Sequence, residues 1–138
     1  MDKTIVEFIK SNQVLTLATS FNNKPYCALC FYVFDEELNQ LIFLASDKTR
    51  HINECLGNIL VAGSINNCVT EVEKIQGIQF EGEFIAPNQL NTINLYKKYY
   101  KKFPFAAAMP SPIWAIDLTY IKMTDNTLGF GKKVIWNK

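Results

Sequence analysis

The sequence has one arginine, Arg50, and one histidine, His51, and no uninterrupted apolar run of the ~20 residues that a membrane span needs. Its N-terminal residues also lack the apolar core and cleavage site of a secretory signal. We therefore expect a cytoplasmic protein without membrane contacts. The 14 basic and 13 acidic residues nearly cancel, so the net charge of +1 gives no electrostatic reason to expect nucleic-acid binding.

The four cysteines do not form a recognisable metal or disulfide pattern. Cys27 and Cys30 are spaced as a CxxC pair, but they lie within a predicted strand, where residues three apart point to opposite faces. Cys55 and Cys68 have no cysteine or histidine nearby at the spacing of zinc ligands. The sequence predicts no metal site, and the cysteines are interpreted as structural or incidental.

Most of the predicted elements are strands that follow one another along the chain, which favours an antiparallel sheet. The strands are predicted at 14–21, 26–34, 40–45, 59–65, 75–85 and 113–123. Helices are predicted at 2–11, 48–56 and 87–102, and residues 130–136 form a last strand or an extended tail. We expect a mainly β protein with flanking helices, a single domain over residues 1–138. Closure of its sheet into a barrel would remove exposed edges.

Segment 46–51 is the strongest candidate for a phosphate site, because it lies where the third predicted strand gives way to a helix. A helix N-terminus presents free N–H groups and a partial positive charge. Ser46 and Thr49 add hydroxyl groups, while Lys48 and Arg50 add positive charge. The same residues also fit an ordinary capped helix with a solvated first turn.

His51 has no serine, cysteine or acidic residue at a local spacing that would make it part of a catalytic dyad. A lone histidine is more often structural or exposed than a ligand. One histidine can still serve as an axial ligand of a haem iron. Haem therefore stands as an alternative to a phosphate-bearing cofactor.

In the C-terminal half of the sequence, the positions of aromatic residues predict which side chains are buried. In the predicted helix 87–102, the side chains of Leu95 and Tyr99 fall on one side, so the lysines between them are interpreted as a solvated face rather than a nucleic-acid surface. Trp114 begins a strand and is expected in the core. Trp136 lies near the end of the sequence, and we expect a partner subunit to cover its side chain.

Seven segments together resemble the bacterial YhbP-type proteins. The segments are 15–19, 25–28, 30–35, 48–51, 61–65, 77–83 and 122–133. These proteins are a branch, without a settled activity, of the pyridoxamine 5'-phosphate oxidase-like, FMN-binding split barrels. The resemblance covers essentially the whole chain, and Thr124–Lys133 is its most specific part. It implies a six-stranded antiparallel Greek-key split β-barrel that forms a homodimer through its sheet, with two FMN sites at the interface.

In the wider family, FMN lies along the second and third strands, and its phosphate sits near the start of the helix that follows. The resemblance places the cofactor against Ala28, Cys30, Phe31, Tyr32, Ala45, Ser46, Lys48, Thr49, Arg50, His51, Ser64, Lys132 and Trp136. Lys132 and Trp136 would come from the partner subunit. His51 stands where the family often has a lysine, which lowers the positive charge at the phosphate.

Residues 103–138 contain no arginine, whereas the oxidase itself holds its substrate with arginines near its C-terminus. The chain is therefore not expected to be a true pyridoxamine phosphate oxidase. The resemblance implies an FMN-binding protein and a flavin-dependent oxidoreductase, with no catalytic residue identified and a substrate pocket near Phe31, Phe105 or Trp136. Two alternatives stay open: a non-catalytic flavin- or haem-binding protein for storage or sensing, and a barrel without a cofactor.

Overall fold

The computed structural model describes residues 1–86, 88 and 91–138, which form helices and strands in alternating groups. In chain order the elements are α1 (Lys3–Ser11), β1 (Val14–Phe21), β2 (Lys24–Asp35), β3 (Gln40–Leu44), α2 (Arg50–Gly57), β4 (Leu60–Asn66), β5 (Gln76–Ile85), α3 (Thr92–Lys102), β6 (Ile113–Asp125) and β7 (Lys133–Asn137). Short 3-10 helices lie in the connections, and strand residues outnumber helical ones. The predicted mainly β structure with flanking helices is confirmed.

The strands form one antiparallel sheet in the order β3-β2-β1-β4-β5-β6-β7. β3 also pairs with the first part of β6, from Leu44 opposite Ile113 to Gln40 opposite Asp117. This second pairing joins the first six strands into a closed ring of hydrogen bonds. β7 pairs with the later part of β6, where Trp136 lies opposite Ile121.

The structure corrects two predictions from the sequence. The sheet has seven strands instead of six, because the tail pairs with β6 as Lys133–Asn137. Trp136 is half-buried against the core of its own chain, so its cover does not come from a partner alone. Residue 87, the expected start of the third helix, lies outside the described residues, and α3 is seen from Thr92.

The main hydrophobic core lies on the inner side of the ring, where alternate strand residues are buried. Buried Leu15, Leu17 and Thr19 on β1 alternate with half-exposed residues on the opposite face. Helix α1 adds Ile5 and Ile9, which are fully buried in the same cluster. α1 and α2 therefore pack against the strands through their apolar faces, and α2 lies against β1 and β2.

A second, smaller core lies beneath α3. Leu95, Tyr99 and Phe103 pack there against Ile42 and Ile113, which confirms the predicted inward face of this helix. Its lysines are not all solvated, however. The half-buried Lys98 binds the buried carboxylate of Asp35 at 2.5 Å, and the half-buried Lys102 donates to the carbonyl oxygen of Asn12 at 3.1 Å.

None of the described helices is both long enough and apolar enough to span a lipid bilayer.

Candidate functional site

The connection between β3 and α2 is a tight turn organised by Ser46. Its carbonyl oxygen accepts hydrogen bonds from the backbone N–H of Thr49 at 3.1 Å and from the Thr49 hydroxyl at 2.8 Å. Its own hydroxyl oxygen accepts from the N–H of Lys48 at 3.2 Å. Thr49 occupies the N-cap position of α2 but makes no side-chain cap, because its hydroxyl is used in the turn. Among the residues that the structure describes, no side chain caps the N–H groups in the first turn of α2, so they are left for another acceptor.

Arg50 is held from two sides at this helix start. Its Nε donates a hydrogen bond to Oε1 of Glu54 at 2.8 Å, and the carbon of its guanidinium lies 4.2 Å from the centroid of the Tyr26 ring. The side chain is 52 % exposed. Within the described residues, these contacts leave the two terminal nitrogens of Arg50 without a protein acceptor. Two parallel N–H donors of this kind suit the oxygens of a phosphate.

Glu54 lies beneath Arg50 and is itself buried, with 9 % of its surface exposed. Its Oε2 accepts a hydrogen bond from the hydroxyl of Thr19 at 2.5 Å, and Thr19 is 3 % exposed on β1. The hydrogen bond from Thr19 and then the one from Arg50 lower the pKa of the Glu54 carboxyl, although burial opposes them. Glu54 is therefore an ionised carboxylate at neutral pH.

His51 is half-buried beside this cluster, with its Nε2 3.5 Å from the hydroxyl oxygen of Thr49. Burial lowers the pKa of the imidazole, and the negative charge of Glu54 only partly opposes that effect. At pH 7 the ring is therefore neutral. A neutral imidazole adds no positive charge for a phosphate, but it has a lone pair for a metal ion such as a haem iron.

The predicted residues of β2 lie on two faces of the strand. Cys30 and Tyr32 point into the core, where the Tyr32 hydroxyl donates a hydrogen bond to the carbonyl oxygen of Ile9 at 2.6 Å. Ala28 is half-buried, and Phe31 is 52 % exposed on the outer face. A ligand on that face would meet the side chain of Phe31, but only the backbone of Cys30 and Tyr32.

Phe31 belongs to an aromatic cluster at the end of α3. The Phe103 ring lies 5.9 Å from the ring of Phe31 and 6.0 Å from that of Phe105, edge to face in both pairs. Phe105 is 68 % exposed, so the cluster presents two rings to solvent. Of the three residues predicted to line a substrate pocket, the structure therefore brings Phe31 and Phe105 together.

Ala45 and the start of the predicted phosphate segment are anchored by Trp114. The indole N–H of Trp114 donates to the carbonyl oxygen of Ala45 at 2.9 Å, and Trp114 is 4 % exposed. Its predicted place in the core is confirmed. The indole thus ties the chain at the end of β3 to the first residues of β6.

Lys132 and Trp136 pair with a part of β6 that lies beyond its pairing with β3. β3 ends at Leu44, opposite Ile113, whereas Trp136 is opposite Ile121. The eight residues from Ile113 to Ile121 correspond to roughly 25 Å of strand. The exposed Lys132 precedes β7 and is paired with Asp125, further still from Ile113. β3 and the C-terminal strand β7 therefore pair with different parts of β6.

Ser64 lies on the outer face of β4. It lines one of two adjoining grooves, of about 440 and 460 Å³, along the outer faces of β1, β4, β5 and β6. Ala18 and Ala62 line both grooves, and Lys122 lines the smaller one together with Ser64. The small residues leave room on this face for a ligand or for a second protein surface.

The most specific segment of the resemblance forms a tightly held loop. The buried carboxylate of Asp125 accepts hydrogen bonds from the N–H of Thr127 and from the side chain of Gln76, both at 2.9 Å. The side-chain oxygen of Asn126 accepts from the N–H of Gly131 at 2.9 Å. These contacts hold the loop at whose tip Phe130 is 87 % exposed.

Three residues of this site, Glu54, Tyr26 and Thr19, were not predicted from the sequence. The spacing of Arg50 and Glu54, four apart on a predicted helix, is the signal that could have identified this ion pair. Tyr26 and Thr19 have no comparable local signal, because they reach Arg50 and Glu54 from neighbouring strands. Among the residues that the structure describes, no group of three or more His, Cys, Asp or Glu side chains is placed to hold a metal ion.

Solved structures of very different sequence share this fold. The haem-binding protein of Mycobacterium smegmatis has a TM-score of 0.78 at 14% identity, covering 94% of this chain and 55% of that one. An FAD-binding protein of Mesorhizobium loti has a TM-score of 0.70 at 12% identity, covering 89% and 94%. The haem storage protein HutZ of Vibrio cholerae has a TM-score of 0.68 at 14% identity, covering 99% and 94%. At these identities, the likeness concerns the fold.

No family model matches the chain. Individual relatives do, over almost their full length. A UPF0306 protein of Photorhabdus laumondii is 39% identical over 134 residues, which cover 97% of this chain and 94% of that protein. The UPF0306 protein YhbP of Salmonella paratyphi C is 38% identical over 132 residues, covering 96% and 90%. The chain therefore belongs to the UPF0306 family, that of the YhbP proteins.

Proposed function

We propose that this chain is a single-domain split β-barrel that binds FMN as a homodimer and acts as a flavin-dependent oxidoreductase. The observation that carries the proposal is the start of α2, where uncapped N–H groups and the free end of Arg50 lie together. Both are donors that bind a phosphate monoester. The ring closed by β3 and β6 supports the barrel, and fold neighbours named for FAD or haem binding support a cofactor of this class.

In this proposal, the FMN phosphate lies against the first turn of α2 and the terminal nitrogens of Arg50. Lys48 is exposed beside it and adds positive charge. The flavin ring lies along β2, where it contacts Phe31 and the backbone of Cys30 and Tyr32. Bound FMN supplies electron transfer, and the chain supplies binding, orientation and exclusion of water.

The presence of a single arginine also restricts the class of substrate that this protein can bind. It is the only arginine in the sequence, and the proposal assigns it to the phosphate of the cofactor. No second arginine remains to bind a phosphorylated substrate. We therefore expect an oxidoreductase substrate other than pyridoxamine phosphate, held near the exposed rings of Phe31 and Phe105.

A second copy of the chain completes the proposed site. In this proposal, Lys132 and Trp136 reach the flavin on β2 from the other protomer. The outer face of the sheet exposes apolar side chains, with Leu29 75 % and Leu60 63 % exposed. A partner that covers this face would remove these apolar surfaces from water.

Titration with FMN, followed by flavin fluorescence, tests the cofactor. We expect saturable quenching, and Arg50→Ala should weaken FMN binding by roughly 1.5–3 kcal/mol, because a hydrogen bond to a charged group is lost. Riboflavin, which lacks the phosphate, is the matched control, and its weaker binding should not respond to Arg50→Ala. Absence of quenching by FMN, or equal FMN affinity of the two proteins, would contradict the proposed site.

Haem binding without turnover is the second candidate, favoured by the neutral, half-buried imidazole of His51. An axial imidazole must be neutral to bind iron. On this alternative, adding haem produces a sharp Soret band that His51→Ala removes. A Soret band that persists in His51→Ala would exclude His51 as the ligand.

A further inference from the structure

The side chain of Glu54 determines how Arg50 is presented at the start of α2. An arginine on a helix surface has many rotamers, and ordering it on ligand binding costs entropy. Here Nε is already bound to Glu54 at 2.8 Å, and the guanidinium lies 4.2 Å from the Tyr26 ring. We infer that Glu54 is a positioning residue, which holds Arg50 so that its terminal nitrogens face a phosphate monoester. This inference rests on the proposed function.

Thr19 restricts the carboxylate to this one arrangement. Oε1 of Glu54 accepts from Arg50, while Oε2 accepts from the hydroxyl of the buried Thr19 at 2.5 Å. Glu54 cannot turn both oxygens toward the guanidinium without breaking the bond to Thr19. The carboxylate therefore binds Arg50 through Nε only, and it does not compete for the donors that would meet a phosphate.

Glu54 is negatively charged, so it can strengthen the binding of a phosphate only by positioning Arg50 and not by charge attraction. An ionised carboxylate next to Arg50 reduces the positive potential that a phosphate would experience. If charge alone mattered, removing the carboxylate would strengthen FMN binding. If positioning matters more, removing it weakens binding, so the two explanations predict opposite signs.

Three variants separate these explanations by FMN titration. Glu54→Ala should weaken FMN binding about fivefold to tenfold, the size expected for coupled residues of one hydrogen-bond network. Glu54→Gln keeps the shape and an acceptor oxygen, so most of the affinity should be retained. Thr19→Val removes the hydroxyl with little change in shape and should cause a smaller loss than Glu54→Ala.

Two comparisons distinguish positioning from a structural role. Riboflavin affinity should be unchanged in Glu54→Ala, because the missing phosphate makes the position of Arg50 irrelevant. The double variant Arg50→Ala/Glu54→Ala should bind FMN no more weakly than Arg50→Ala alone, since Glu54 acts through Arg50. A parallel loss of FMN and riboflavin affinity would indicate structural damage and overturn the inference.

A measurement without ligand tests the same contact. Because Arg50 is the only arginine, its Nε–H gives a unique signal in a nitrogen-15 NMR spectrum. We expect slow hydrogen exchange at this group in the wild-type protein and faster exchange in Glu54→Ala. Equal exchange rates of the Arg50 Nε–H in the two proteins would overturn the positioning role of Glu54 but not the proposed function. The same holds if Glu54→Ala binds FMN as tightly as the wild-type protein does. Failure of the wild-type protein to bind FMN would overturn both this inference and the proposed function.

Discussion

Cys27 and Cys30 lie on opposite faces of β2, although their spacing is that of a CxxC pair. Cys27 is exposed on the outer face opposite Ala18, whereas Cys30 is 5 % exposed in the core. Burial raises the pKa of the Cys30 thiol to about 12. The prediction from strand alternation is confirmed, and these two sulfur atoms form no redox pair in this fold.

Thiol reactivity should follow this arrangement and report on the dimer. Cys27 and Cys68 are exposed and should react with an aromatic disulfide reagent, while the buried Cys30 and Cys55 should not until the protein unfolds. If a second copy covers the outer face, modification of Cys27 should slow as protein concentration rises. Cys68 is the internal control, and peptide mapping measures both. Equal concentration dependence of the two thiols would contradict a dimer through this face.

Acid sensitivity should be partly due to His51. Burial lowers its pKa below the ordinary value of 6.5, so the unfolded chain binds the proton more readily than the folded one. The free energy of unfolding should therefore decrease as pH falls below the unfolded pKa. His51→Gln should lose less stability than wild type between pH 7 and about 5, as measured by urea unfolding. Parallel pH profiles of the two proteins would show that the imidazole does not titrate in this way.

Gly63 should not tolerate a side chain. A Cβ atom there would lie 2.3 Å from the ring of Phe80 and 2.4 Å from the carbonyl oxygen of Thr16. We expect Gly63→Ala to lower the free energy of unfolding by about 1–3 kcal/mol, as overpacked cores do. Gly77→Ala is the matched control on β5, where the nearest atom is 3.4 Å away, the Ile65 carbonyl oxygen. If chemical denaturation shows equal stability for both variants, the close packing around Gly63 is wrong.

Phe130 should affect association without affecting folding. Its side chain is 87 % exposed, so Phe130→Ser should change the free energy of unfolding of the separate protomer by less than about 0.5 kcal/mol. The loop precedes Lys132, which the proposal assigns to a partner's site. We therefore expect Phe130→Ser to raise the dimer dissociation constant in sedimentation experiments. Leu38→Ser, at a 54 % exposed position in the β2–β3 turn, is the control. A dissociation constant equal to that of the control would place Phe130 outside the interface.

Local patterns predicted the single elements well. β1 spans Val14–Phe21 as predicted, and α1 begins one residue later than expected because Asp2 caps it. The inward face of α3 and the opposite faces of Cys27 and Cys30 also follow from short-range alternation. Such features depend on residues two to four apart, so the sequence alone determines them.

In segment 46–51, the local sequence pattern predicted the structure only in part. The sequence placed a helix start and an arginine there, but it placed the start of α2 two residues early. The turn made by Ser46 and the hydroxyl of Thr49 moves the N-cap to Thr49. A threonine hydroxyl can cap a helix or close a turn, and the residue type alone does not tell which of the two it does.

The sequence by itself determined the order of the strands along the chain, the inward faces of the helices and the position of the only arginine. Tertiary structure decided the pairing of β3 with β6, the seventh strand, and the contacts of Thr19 with Glu54 and of Tyr26 with Arg50. Thr19 and Glu54 are 35 residues apart, so no local period relates them. Their contact forms because α2 packs against β1, which buries the side chains of Thr19 and Glu54 together.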